Sequence, residues 1–187
     1  MQSTPEAPIG INHLVINVRD LDQSHRFWTE MVGLKQVGTF KPRGDNGPRR
    51  VMQFYSADHD GRVTHHDLAL MECPDLPPPA ADGTLTSAIG HIAIALPNRE
   101  AWLRQLAYLQ DKGVKFERRV EHGMTHSLYI RDPNGYSVEL LYELPREVWE
   151  GNIQEALNHY VALPTEGEAA LRDRVEGVPV FASIEKT

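Results

Sequence analysis

The chain has 187 residues, 41% of them hydrophobic and 24% charged, with a formal net charge of −7. That length supports one domain with a real core, or two small modules sharing one, and the acidic balance gives nucleic-acid binding no support. No apolar run approaches a membrane span, and the single cysteine, Cys73, excludes an internal disulfide.

Residues 1–8 read as a leader without the basic and apolar regions of a signal peptide, and a cytoplasmic, reducing setting is expected. Ile11–Val18 (INHLVINV) reads as a strand carrying His13. A helix over Leu21–Met31 follows, with Asp20 or Asp22 placed to cap it. Leu34–Phe40 and Arg50–Tyr55 are the next strands, joined by the loop KPRGDNGPR, and Thr64–Glu72 (THHDLALME) is a fourth. The stretch CPDLPPPAADGTLTSA is the best internal boundary. The order of elements then repeats. Ile89–Leu96 (IGHIAIAL) carries His91, 78 residues after His13. Asn98 can cap a helix to about Asp111. Strands are expected at Lys115–Glu121, Thr125–Arg131 and Tyr136–Tyr142, the last two joined by the turn DPNG.

The expected fold is α+β: two βαβββ modules, residues 9–73 and 89–144, linked by 74–88 and followed by a tail, 145–187. Pro145–Tyr160 reads as a helix with an apolar stripe at Val148, Ile153, Ala156 and Leu157. Residues 164–187 are Glu-rich with a short VPVFASI run. Phe27, Trp28 and Trp102 are expected in the core.

Nine histidines stand out more than the charge does. In the last expected strand Glu139 lies within an otherwise apolar run, and a carboxylate in a dry core is costly. Either it faces solvent or a positive group sits beside it. His13, His91 and Glu139 would form a set of two imidazoles and one carboxylate drawn from three strands. That set holds Fe(II) while leaving positions open for substrate and O2, and it also suits Mn, Zn or Ni. Taken singly, each of the three reads more simply as an ordinary strand residue; the pairing of the histidines across the repeat favours the set.

The segments INHLVINV, HHDLAL, IGHIAIAL and HGMTHSLYIRDPNGYSVELLYE carry a resemblance over about residues 9–160. The chain resembles the vicinal oxygen chelate superfamily, and within it the single-domain type I extradiol dioxygenases. The resemblance implies two βαβββ modules around a metal-binding cleft, with His13, His91 and Glu139 as iron ligands. It implies His66 as the acid–base residue, His122 as the contact to bound oxygen and diol, and Tyr129, ten residues before Glu139, as a hydrogen-bond donor to substrate. The implied reaction inserts O2 into a catechol-type diol and gives a ring-opened hydroxymuconic semialdehyde type of product. Fe(II) is the implied metal, with Mn(II) the alternative, and a homo-oligomer is expected. His65 and His126 receive no role and read as exposed strand residues.

Two other readings stand beside this one. A glyoxalase-like lyase or an epimerase would need a fourth ligand, for which Glu72 is the candidate. Aligning HDLALME with SVELLYE sets Leu68 opposite Glu139 and Glu72 opposite Glu143, which leaves that fourth position empty unless the register slips. A metal-free protein that sequesters an aromatic drug is the third reading. It would make the His/His/Glu set an accident.

Overall fold

A computed structural model describes residues 7–40, 50–80, 88–174 and 177–182. The KPRGDNGPR loop lies outside these residues, as do most of the leader, part of the linker and the end of the VPVFASI run. The fold is α+β, and the chain divides into two compact units, Met1–Pro78 and Pro79–Thr187.

The first unit holds a four-stranded sheet in the order β1-β4-β3-β2, built from β1 (Leu14–Val18), β2 (Lys35–Phe40), β3 (Met52–Ser56) and β4 (Leu68–Glu72). β1 runs parallel to β4, and the other pairs are antiparallel. The helix α1 (Leu21–Arg26) starts where Asp20 accepts a hydrogen bond from the Gln23 N–H, and a π-helical stretch continues it to Met31. Alternation sorts the strands cleanly. Ile16, Val18, Leu68 and Leu70 are buried together with Phe27 and Trp28 of the helical segment. Val15 and Asn17 alternate onto the other face, opposite Ala69 and Met71.

The second unit repeats the order and adds a strand. Its sheet runs β5-β8-β7-β6-β9, from β5 (Ile92–Ala95), β6 (Arg118–His122), β7 (Thr125–Arg131), β8 (Ser137–Glu143) and β9 (Tyr160–Leu163). β5 is parallel to β8. The helix α2 (Arg99–Asp111), capped by Asn98, buries Trp102, Leu106 and Leu109. Trp102 donates its Nε1–H to the Leu140 carbonyl at 2.8 Å, so this buried indole satisfies its one polar atom. In the DPNG turn, buried Asp132 accepts from the Asn134 and Tyr136 N–H groups, and Gly135 takes φ 91°.

The tail departs from the expected single helix. It forms α3 (Arg146–Trp149), a 3-10 turn, and α4 (Ile153–Asn158), which Asn152 caps anew. It then adds β9 to the free edge of β6, an element that the sequence pattern does not suggest. Beyond β9 the chain crosses the back of this sheet, where Arg119 donates to the carbonyls of Pro164, Ala169 and Arg172. No helix among the described residues is long and apolar enough to cross a membrane.

Candidate active site

The face of the second sheet opposite α2 carries the chemistry. Glu139 pairs with Ala93 on one side and Tyr129 on the other, and Tyr129 pairs with Arg118. His91 precedes β5 and continues the alternation of Ala93 and Ala95; His122 ends β6 on the same parity as Arg118. Four expected site residues of this unit therefore share one face. The His91 Nε2 stands 2.9 Å from Glu139 Oε2, and the carboxylate is buried while the imidazole is half exposed. This answers the question that Glu139 poses in the sequence: it sits in the core with an imidazole beside it. His122 Nε2 lies 3.2 Å from the Tyr129 hydroxyl.

The electrostatics favour neutral partners around that carboxylate. Burial, with a hydrogen bond to Glu139, pushes the Tyr129 phenol well above its ordinary value. Burial pulls the His122 imidazole below its usual range, against the opposing pull of Glu139. These groups open on a cavity of about 330 Å³ whose apolar walls include Met124, Leu141, Ala156 and Leu157. The α4 wall is set by Gly123. A Cβ there would lie 2.6 Å from the Ala156 carbonyl oxygen and 2.7 Å from the Phe181 ring, so only glycine allows this approach.

The first unit holds a second group. His13, one residue before β1, has its ring 4.3 Å from His66, and the Nδ1 atoms of His65 and His66 are 2.8 Å apart. Burial first, then the neighbouring His13 and His65, hold the His66 imidazole below its usual range. β4 starts at Leu68, later than the expected Thr64, so His65 and His66 lie in the segment that leads into it.

The register of the two sheets corrects the sequence alignment by one residue. Leu14 pairs with Leu68 and Ile92 with Val138, so Ala69, not Leu68, is the counterpart of Glu139, and Glu72 is the counterpart of Tyr142. An alanine therefore stands where the fourth ligand would be. Glu72 pairs with buried Val18, on the face opposite to Val15, and borders a polar recess with Arg19 and Asp20.

His126 is a further correction. It is fully buried on the α2 side, not exposed, and its Nδ1 lies 2.7 Å from Asp173. Asp173 also accepts from Tyr142 and Arg99. Sequence reasoning missed Asp173, Arg118 and the α4 wall. Alternation could have found Arg118, which shares parity with His122; nothing local marks Asp173. Among the described residues, no three His, Cys, Asp or Glu side chains already stand together as a metal site.

Residues 10–140 match the family model described as the Glyoxalase/Bleomycin resistance protein/Dioxygenase superfamily. Lactoylglutathione lyase of Schizosaccharomyces pombe is 27% identical over 154 residues, 74% of this chain and 49% of that protein. Biphenyl-2,3-diol 1,2-dioxygenase 3 of Rhodococcus globerulus is 35% identical over 128 residues, 68% of this chain and 60% of that protein. The chain thus spans about half to three-fifths of the length of these two relatives. The crystal structure of a glyoxylase/bleomycin resistance protein/dioxygenase domain from Frankia sp. EAN1pec superposes with a TM-score of 0.56 at 20% identity. It covers 74% of this chain and 100% of its own.

Proposed function

The chain belongs to the glyoxalase/bleomycin resistance protein/dioxygenase superfamily, and from that premise we propose an extradiol dioxygenase that inserts O2 into a catechol-type aromatic diol. The metal would be iron(II), held by His13, His91 and Glu139, with Mn(II) suiting the same donors. The observation that carries this reading is the buried Glu139 carboxylate against His91, at a cavity that also takes Tyr129 and His122. The donor chemistry fits a divalent cation. A carboxylate in the core calls for a positive charge beside it, and imidazole nitrogen with carboxylate oxygen is the ligand pairing that iron(II) accepts.

When bound, the metal supplies Lewis acidity toward a diol hydroxyl and redox chemistry toward O2. The chain's own residues move the protons. His122, kept neutral by burial, can accept a diol proton and return it. Tyr129 keeps its phenol proton at working pH, so it offers a hydrogen bond and does not act as the base. His66, neutral beside His13, is the proposed acid–base residue. The apolar walls of the cavity give an aromatic ring a surface to lie against.

The test uses protein purified without oxygen, loaded with Fe(II), and mixed in air with a panel of catechols. Yellow product with matching O2 uptake, lost in His13→Ala and Glu139→Ala, is the expected result. A lyase is the second reading, because relatives of that name match this chain at 25–27% identity. Ala69 at the counterpart of Glu139 weighs against it. Absence of O2 uptake, together with turnover of lactoylglutathione, would favour the lyase. We also propose a homo-oligomer, since Ile153, Leu157, Tyr160 and Val161 of the tail leave apolar surface exposed.

A further inference from the structure

Arg118 sits on the face of the second sheet that carries Glu139, yet the chemistry above gives it no task. It pairs with Tyr129 in the β6–β7 register, and its guanidinium carbon lies 3.8 Å from the Tyr129 ring centroid. It also hydrogen-bonds Tyr129, and because the Tyr129 ring lines the cavity described above, the guanidinium stacked on it stands beside that lining. Other arginines of this unit are engaged. Arg99 binds Asp173, Arg119 is buried on backbone carbonyls, and Arg131 bridges Gly135 and Glu117. Among the described residues no carboxylate pairs with Arg118, whose side chain is exposed.

A guanidinium stacked on an aromatic face loses rotamer freedom but keeps its N–H edge available. That edge is a planar fork matched to a carboxylate. A cation without a carboxylate partner among the described residues, stacked on a ring that lines a mostly apolar cavity, is suited to an anionic group on the molecule that enters. Such a group would lie at the rim while the ring fills the apolar part. A cavity of about 330 Å³ suits one ring with a short arm.

We infer that the substrate is a carboxylated aromatic diol and that Arg118 is the residue that selects it. This rests on the proposed diol chemistry for the ring, but the anion subsite can be measured without turnover. Full-length protein loaded with Fe(II) under anaerobic conditions would be titrated calorimetrically with 3-(3,4-dihydroxyphenyl)propionate and with the neutral 4-propylcatechol. The expected result is tighter binding of the acid. Arg118→Gln should lower the acid-to-neutral affinity ratio roughly 10–100-fold, the usual worth of a charge-assisted hydrogen bond, and Arg118→Lys should restore part of it. Equal affinities in the parent protein, a ratio preserved in Arg118→Gln, or no binding of either ligand would overturn the inference. If the ratio behaves as expected but air produces no O2 uptake, the anion subsite stands and the dioxygenase reading falls.

Discussion

At the scale of single residues, the site sets His91, Tyr129 and His122 around one buried carboxylate, with Tyr129 and His122 held neutral chiefly by burial. Glu139→Ala or His91→Ala is expected to abolish tight Fe(II) retention, read by metal content after desalting. His66→Ala and His122→Ala should each slow turnover by about 10²–10⁴-fold, the range for general acid–base groups; full activity in either variant would remove that residue from the scheme. The pH dependence has a definite sign. Burial holds both imidazoles below the ordinary histidine value of about 6.5. The proton-accepting form is then already dominant at neutral pH. The acid limb of kcat/KM should therefore fall below about pH 6.5, and a limb centred above pH 7 would contradict it. His66 and His122 were legible as motif residues. Their neutrality was not, because burial is a property of what packs around them.

At the scale of elements, two tail features position the site. Gly123 lets α4 come close enough to wall the cavity. Gly123→Ala forces a Cβ against the Ala156 backbone and the Phe181 ring, and should cost about 1–3 kcal/mol by overpacking, read in thermal melts. The second feature is the buried anchor at Asp173. Burial raises its carboxyl pKa, but hydrogen bonds from His126, Tyr142 and Arg99 outweigh this and hold it below the usual carboxylate range. A carboxyl depressed in the fold gives stability that is present above its unfolded pKa, about 3.9, and lost as pH falls through the lower folded value. Protection of the amides in residues 164–174, measured relative to their intrinsic exchange rates, should accordingly fall as pH drops below about 4. Asp173→Ala should cost about 3–5 kcal/mol at neutral pH, because it removes one partner of a buried charged pair. Retention of the parent's melting behaviour would show that the anchor carries no such weight. The strands of both modules were readable within a few residues from alternation and turn chemistry. β9 was not, since an edge strand is stabilised by the neighbour it joins rather than by its own pattern.

At the scale of the whole molecule, the repeat of a βαβββ order explains why the two sheets share one topology, although Ala69 is the counterpart of Glu139 in the first. The exposed apolar surface of α4 and β9 leads to an expected mass above that of one chain in light scattering at working concentration. A strictly monomeric mass would end that proposal.

The sequence by itself determined the class of fold and the internal repeat, and it supplied the residues proposed to hold a metal. These follow from local periodicity and side-chain chemistry, which need no partner to be read. Only the tertiary structure decided the register that puts Ala69, not Leu68, at the counterpart of Glu139, because one residue of slip changes which face a side chain takes. Only it decided that His126 belongs to the core and to Asp173, 47 residues away, and that Arg118 stands over Tyr129. Such pairings depend on contacts between elements distant in the chain, and no local pattern encodes them.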